Sequence, residues 1–168
     1  MVRKQLAGLF CALMLQSISP VMAQTNIPSL AGSWEFTLTP ASSQPPAPAI
    51  EGLATFTTDG SMIETDGSEV VPVQTSAGGP VLRGTPGHGI WQPSPVFGQL
   101  FVRFTSLLVN PNATLRAKRI LTMNLALNST GDQFSGSYSL EIDDSTGHVL
   151  STGSGVVKGQ LMVHPLLP

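Results

Sequence analysis

The residues with the most reactive side chains are few and scattered. His88 stands between two glycines in Gly87-His88-Gly89-Ile90-Trp91, where the bare backbone on either side lets the chain pass close to a neighbour. A histidine there could orient a substrate or move a proton near neutral pH. The plainer role is a hydrogen bond that fixes the start of a strand. Tyr138 is the second candidate acid. Arg103 lies in Phe97-Gly98-Gln99-Leu100-Phe101-Val102-Arg103-Phe104 and could hold an acidic headgroup through paired N–H donors. Alternation offers two registers for that strand. One turns Phe101 and Arg103 inward; the favoured one turns Leu100, Val102 and Phe104 inward and leaves Arg103 in water, because a charged side chain is rarely buried without a partner.

His148 and His164 lack metal-ligand spacing from His88, and the single cysteine, Cys11, lies in the N-terminal apolar run. No metal or cofactor is therefore expected. Nucleophile elbows, phosphate loops and zinc motifs are also absent from the sequence. Asn112-Ala113-Thr114 and Asn128-Ser129-Thr130 match the glycosylation triplet, which acts only in a chain exported through the endoplasmic reticulum.

The elements that must position these residues follow an N-terminal leader. Met1-Val2-Arg3-Lys4 is basic, Leu6 to Leu15 is apolar, and Val21-Met22-Ala23 ends in a small residue. This pattern predicts a signal helix, cleaved after Ala23, and export to a periplasm or the outside. The run is shorter than the roughly 20 residues a membrane span needs, so no span is expected after cleavage. Cleavage leaves about 145 of 168 residues, enough for one cored domain. Six basic residues then face ten acidic ones, which argues against a nucleic-acid partner. Residues 24–31 read as a polar lead and 32–164 as a single barrel domain.

Only 11% of residues are charged while 41% are hydrophobic, so a disordered chain is excluded for the bulk of the sequence. The apolar residues recur with a period of two. Trp34, Phe36 and Leu38 alternate with Glu35, Thr37 and Thr39; Leu121, Met123, Leu125 and Leu127 alternate with Thr122, Asn124, Ala126 and Asn128; and Phe134, Gly136, Tyr138, Leu140 and Ile142 oppose serines and Glu141. Asp59-Gly60 and Asp66-Gly67 predict hairpin turns, Glu69–Gln74 a short strand, and Thr75–Pro86 a long loop. Gly153, Gly155 and Gly159 predict a bend in the last strand. About eight consecutive strands with hairpin connections predict an all-β, antiparallel, up-and-down barrel, with a two-sheet sandwich as the rival. Closure removes the exposed edges that invite aggregation.

Several of these segments carry a resemblance. Gly32-Ser33-Trp34 resembles the glycine-x-tryptophan start of lipocalin-like (calycin-type) barrels. Phe56 to Gly60, Pro86 to Trp91 and Gly131 to Gly136 resemble small exported bacterial barrels similar to allene oxide cyclase, most of which have no assigned activity. The resemblance implies a barrel with an apolar lumen. The expected function is binding of a small apolar or amphipathic molecule there, walled by Trp34, Phe36, Trp91, Phe101 and Tyr138, with Arg103 or His88 as the polar contact. Two further expectations stand beside it. One is a cofactor-free cyclase or isomerase using His88 or Tyr138 as acid; the other is a structural or surface-interaction protein with a filled barrel.

Overall fold

A computed structural model describes residues 29–41, 48–69, 73–74, 81–96, 98–112 and 114–162. The expected signal helix lies outside them. The described residues form ten strands: β1 (Gly32–Pro40), β2 (Ile50–Phe56), β3 (Ser61–Asp66), β4 (Val73–Gln74), β5 (Val81–Gly84), β6 (Gly87–Pro93), β7 (Gln99–Val109), β8 (Leu115–Leu127), β9 (Gln133–Asp144) and β10 (Val149–Leu161). Eight of them close a ring in the order β7-β6-β3-β2-β1-β10-β9-β8, with β8 pairing back onto β7. Every pairing is antiparallel, and β1 meets β10 to join the two ends of the chain. The barrel expected from the alternating pattern is therefore present, and the sandwich is not.

Two segments differ from the expectation. Of the predicted third strand, Glu69 ends a 3-10 turn, Gly67–Glu69, Val73–Gln74 is extended, and residues 70–72 lie outside the described residues. Asp66-Gly67 consequently starts that turn instead of closing a hairpin. The predicted loop contains β5, which pairs with the far end of β7 at Arg83–Val109 and Gly84–Leu108. Because β7 is longer than β6, β5 completes the edge that β6 leaves open.

Alternation sets which side chains go inside. Trp34, Phe36, Leu38, Phe56, Leu100, Val102, Phe104, Leu121, Met123, Leu125, Phe134 and Val157 form one buried core. At one end of the barrel the indole N–H of Trp34 donates to the Leu30 carbonyl at 2.8 Å, which draws the lead segment across the opening. Trp91 similarly donates to the Thr57 carbonyl at 2.8 Å and anchors the β2–β3 hairpin. That hairpin closes through Gly60 at φ +88°, a left-handed conformation that glycine adopts without strain.

The interior glycines make room for rings. A side chain at Gly159 would strike the Phe134 ring, one at Gly52 the Phe36 ring, and one at Gly155 the Tyr138 ring. In each pair the glycine and the aromatic residue are directly opposed on neighbouring strands. Expected as hinges, Gly155 and Gly159 thus also act as seats for aromatic residues. The register shift in β10 falls between Val149 and Ser151 instead.

Candidate functional site

Three charged side chains sit inside the barrel in registers otherwise occupied by apolar residues. Arg119 shares the inward face of β8 with Leu121 and Met123, while Glu64 and Asp66 share the inward face of β3 with Met62. β3 and β8 are separated by β6 and β7 around the wall, so the contact between them crosses the lumen. Arg119 is 6% exposed and Glu64 1%.

The guanidinium is almost fully engaged. Its Nε donates to Ser106 Oγ at 2.8 Å, Nη1 to Asp66 Oδ2 at 2.7 Å and to Ser68 Oγ at 3.0 Å, and Nη2 to Glu64 Oε1 at 2.9 Å. Four of the five N–H groups of an arginine are thereby used. Ser106 reaches it because the two residues are directly opposed on β7 and β8. Asp66 Oδ1 also accepts the Ser68 backbone N–H at 2.8 Å, so the 3-10 turn is fastened to the cluster twice.

Glu64 Oε2 is buried without a hydrogen-bond partner. Burial drives the Glu64 carboxyl up to about 8; Arg119 opposes that shift, and the neighbouring acids Asp66 and Glu69 reinforce it. Among the described residues, no three His, Cys, Asp or Glu side chains converge as a cation cage.

Beside the cluster lies a small, partly open cavity of about 70 Å³. Leu38, Ile50, Leu108, Leu121, Leu140 and Ile142 give it an apolar wall, and Ser68, Arg119 and Tyr138 are its polar members. Burial raises the Tyr138 hydroxyl above the ordinary phenol range, which keeps it protonated as a donor.

The residues singled out in the sequence divide between the two faces of the wall. Trp34, Phe36, Trp91 and Tyr138 point inward, but only Tyr138 borders the cavity; Trp34 and Phe134 pack with ring centroids 5.0 Å apart. Phe101 and Arg103 belong to the outward set of β7, and Arg103 lines an open groove of about 330 Å³ with Ile120, Thr122 and Glu141. His88 is exposed on the outer face of β6, opposite Ile63 and Thr105. Its two glycines face inward. A side chain at Gly87 would strike the Glu64 carboxylate and the Phe104 ring, and one at Gly89 would strike the backbone of Arg103 and Phe104. The motif matters to the site through Gly87, which leaves room for Glu64 to reach Arg119.

Arg119, Glu64 and Asp66 were not among the residues expected to form a site. The available signal was register: reading the alternation of Leu125, Met123 and Leu121 two residues back puts Arg119 inside, and Met62 does the same for Glu64 and Asp66.

The chain is thus an antiparallel, eight-stranded closed β-barrel with a charged cluster at one end of its interior, an architecture consistent with a lipocalin-like fold. No family model, curated protein or solved structure matches it. Among the described residues, no helix is long and apolar enough to cross a membrane.

Proposed function

We propose that this is an exported barrel that binds one small apolar or amphipathic molecule in the small cavity beside Arg119 and Tyr138. The observation that carries the reading is that cavity: about 70 Å³, apolar walls, and three polar groups gathered on it. Volume limits the ligand. Drug-sized molecules occupy pockets of roughly 300–1,000 Å³, so this space suits a compact molecule of few heavy atoms and not an extended acyl chain. The walls are almost wholly apolar and the Arg119 donors are mostly engaged already, so the molecule would be largely apolar, with Tyr138 offering a hydroxyl. Export rests on the basic and apolar leader ending at Ala23, and kinship with calycin-type or allene oxide cyclase-like barrels on the motifs at Gly32–Trp34 and Pro86–Trp91.

A catalytic version of this reading would assign the acid role to Tyr138, which borders the cavity, and not to His88, which faces away from it. The filled-barrel reading is favoured by a different observation. Rings and aliphatic side chains pack the remainder of the interior, and Leu53, Ile63 and Ile90 lie exposed on neighbouring strands β2, β3 and β6.

Native mass spectrometry of protein purified from its own host tests these readings together. A mass starting at Gln24 plus one small adduct, lost in a Leu108→Phe variant that fills the cavity, is the expected result. A bare mass in both proteins would favour the filled barrel, and a mass retaining the leader would remove the proposed export.

A further inference from the structure

The binding reading leaves unexplained why two carboxyl groups, with Glu69 close enough to act on Glu64, share one buried guanidinium inside the barrel. We infer that the Arg119 cluster is a proton-linked latch: with a proton on Glu64 it clamps the Gly67–Glu69 turn onto the barrel, and loss of that proton releases the turn.

The charged groups facing Glu64 are Arg119 from β8, Asp66 from its own strand and Glu69 from the turn. The flanking strands add none, since Glu64 is opposed by Ala54 on β2 and Gly87 on β6. With Glu64 neutral, Arg119 has Asp66 as its counter-ion and Glu64 Oε1 remains an acceptor for Nη2. Ionising Glu64 places a second carboxylate beside Asp66, with Oε2 still unpartnered and out of reach of water. Uncompensated charge in such a site is strongly unfavourable. Because burial holds this carboxyl up at about 8, the transition falls just above neutral pH.

The backbone decides which side of the cluster yields. Glu64 is paired on both sides, to Ala54 and to Gly87, and the β3–β6 ladder stops there. Asp66 is paired only to Gly52 of β2 and leads directly into the turn. Asp66 and Ser68 are therefore the weaker fastening, and they move when repulsion rises. Gly84 of β5 has no side chain to hold Ser68 in place; it provides only the space in which Ser68 sits.

Ser68 also lines the cavity, so release of the turn would uncover it. That consequence rests on the binding reading; the latch does not.

Amide hydrogen exchange of Ser68, whose N–H is bonded to Asp66, reads the latch directly. After correction for the intrinsic base-catalysed rate, its protection is expected to fall about tenfold or more as pH passes about 8. Amides of Phe36 and Leu38 should keep theirs, and Glu64→Gln should hold Ser68 protection level throughout. Level protection in the wild-type chain, or the same fall in Glu64→Gln, would overturn the inference. Should the variant not fold, the carboxyl ¹³C shift of Glu64 in the wild-type chain decides: a midpoint well above 4.5 supports the latch, and one at the ordinary value rejects it.

Discussion

Arg119 Nη2 lies 2.9 Å from Glu64 Oε1 across the lumen, joining residues 55 apart in the chain. The same guanidinium holds Asp66 at 2.7 Å, so one cation ties β3 and the start of the 3-10 turn to β8. Asp66 depends on it for charge compensation and Glu64 for a hydrogen-bond donor, which makes the consequences of removing it asymmetric.

Arg119→Met should cost about 3–5 kcal/mol of stability, because Asp66 is left buried without its cation and Glu64 Oε1 without its donor. A triple variant, Arg119→Met with Glu64→Leu and Asp66→Asn, should recover most of that loss, since no uncompensated charge remains. Urea unfolding midpoints of the two variants and the wild-type chain check both statements. A triple variant as unstable as the single one would mean that packing, and not charge, dominates this end of the barrel.

Stability should fall as pH rises from about 4.5 towards 8. The folded chain binds the Glu64 proton more tightly than the unfolded chain, so this contribution is complete below the ordinary carboxyl value of 4.5 and is lost through about 8. Three turn aspartates act in the opposite direction. Side-chain hydrogen bonds from Thr57, Thr130 and Thr146 are the leading cause that lowers Asp59, Asp132 and Asp144, the last to about 2. Their contribution is present above 3.8 and lost as pH falls through those lowered values. Unfolding midpoints measured from acid to mildly basic pH should therefore peak near the lower end of the Glu64 interval, and Glu64→Gln should abolish the decline on the basic side.

Gly87→Ala and His88→Ala should separate sharply despite being neighbours. The methyl group at position 87 would meet the Glu64 carboxylate and the Phe104 ring, and overpacking of this kind typically costs about 1–3 kcal/mol. His88 points into water, and its loss should stay within about 0.5 kcal/mol. Thermal or urea unfolding of both variants gives the comparison. A large effect at His88 with none at Gly87 would show that the path across β6 is not what carries Glu64 to Arg119.

Much of the wall was legible before the structure. The period-two runs around Trp34, Leu121 and Tyr138 became β1, β8 and β9, and the Asp-Gly step at 59–60 became a hairpin turn. Of Glu69–Gln74, Val73–Gln74 is the strand expected, while Glu69 closes a 3-10 turn that the ion pair of Asp66 with Arg119 fastens at its start. β5 is not legible in the sequence because Val81–Gly84 gains its strand partners from the two residues of β4 and from the end of β7 that outlasts β6.

From sequence alone came the strand period, the antiparallel order and the inward face of the main apolar runs, since these depend on neighbours along the chain and on turns of a few residues. Only the closed barrel decided which inward faces confront each other. Residue spacing carries no distance across a lumen, so the meeting of Arg119 with Glu64 and Asp66, the clearance granted by Gly87 and the cavity beneath Tyr138 belong to the tertiary structure.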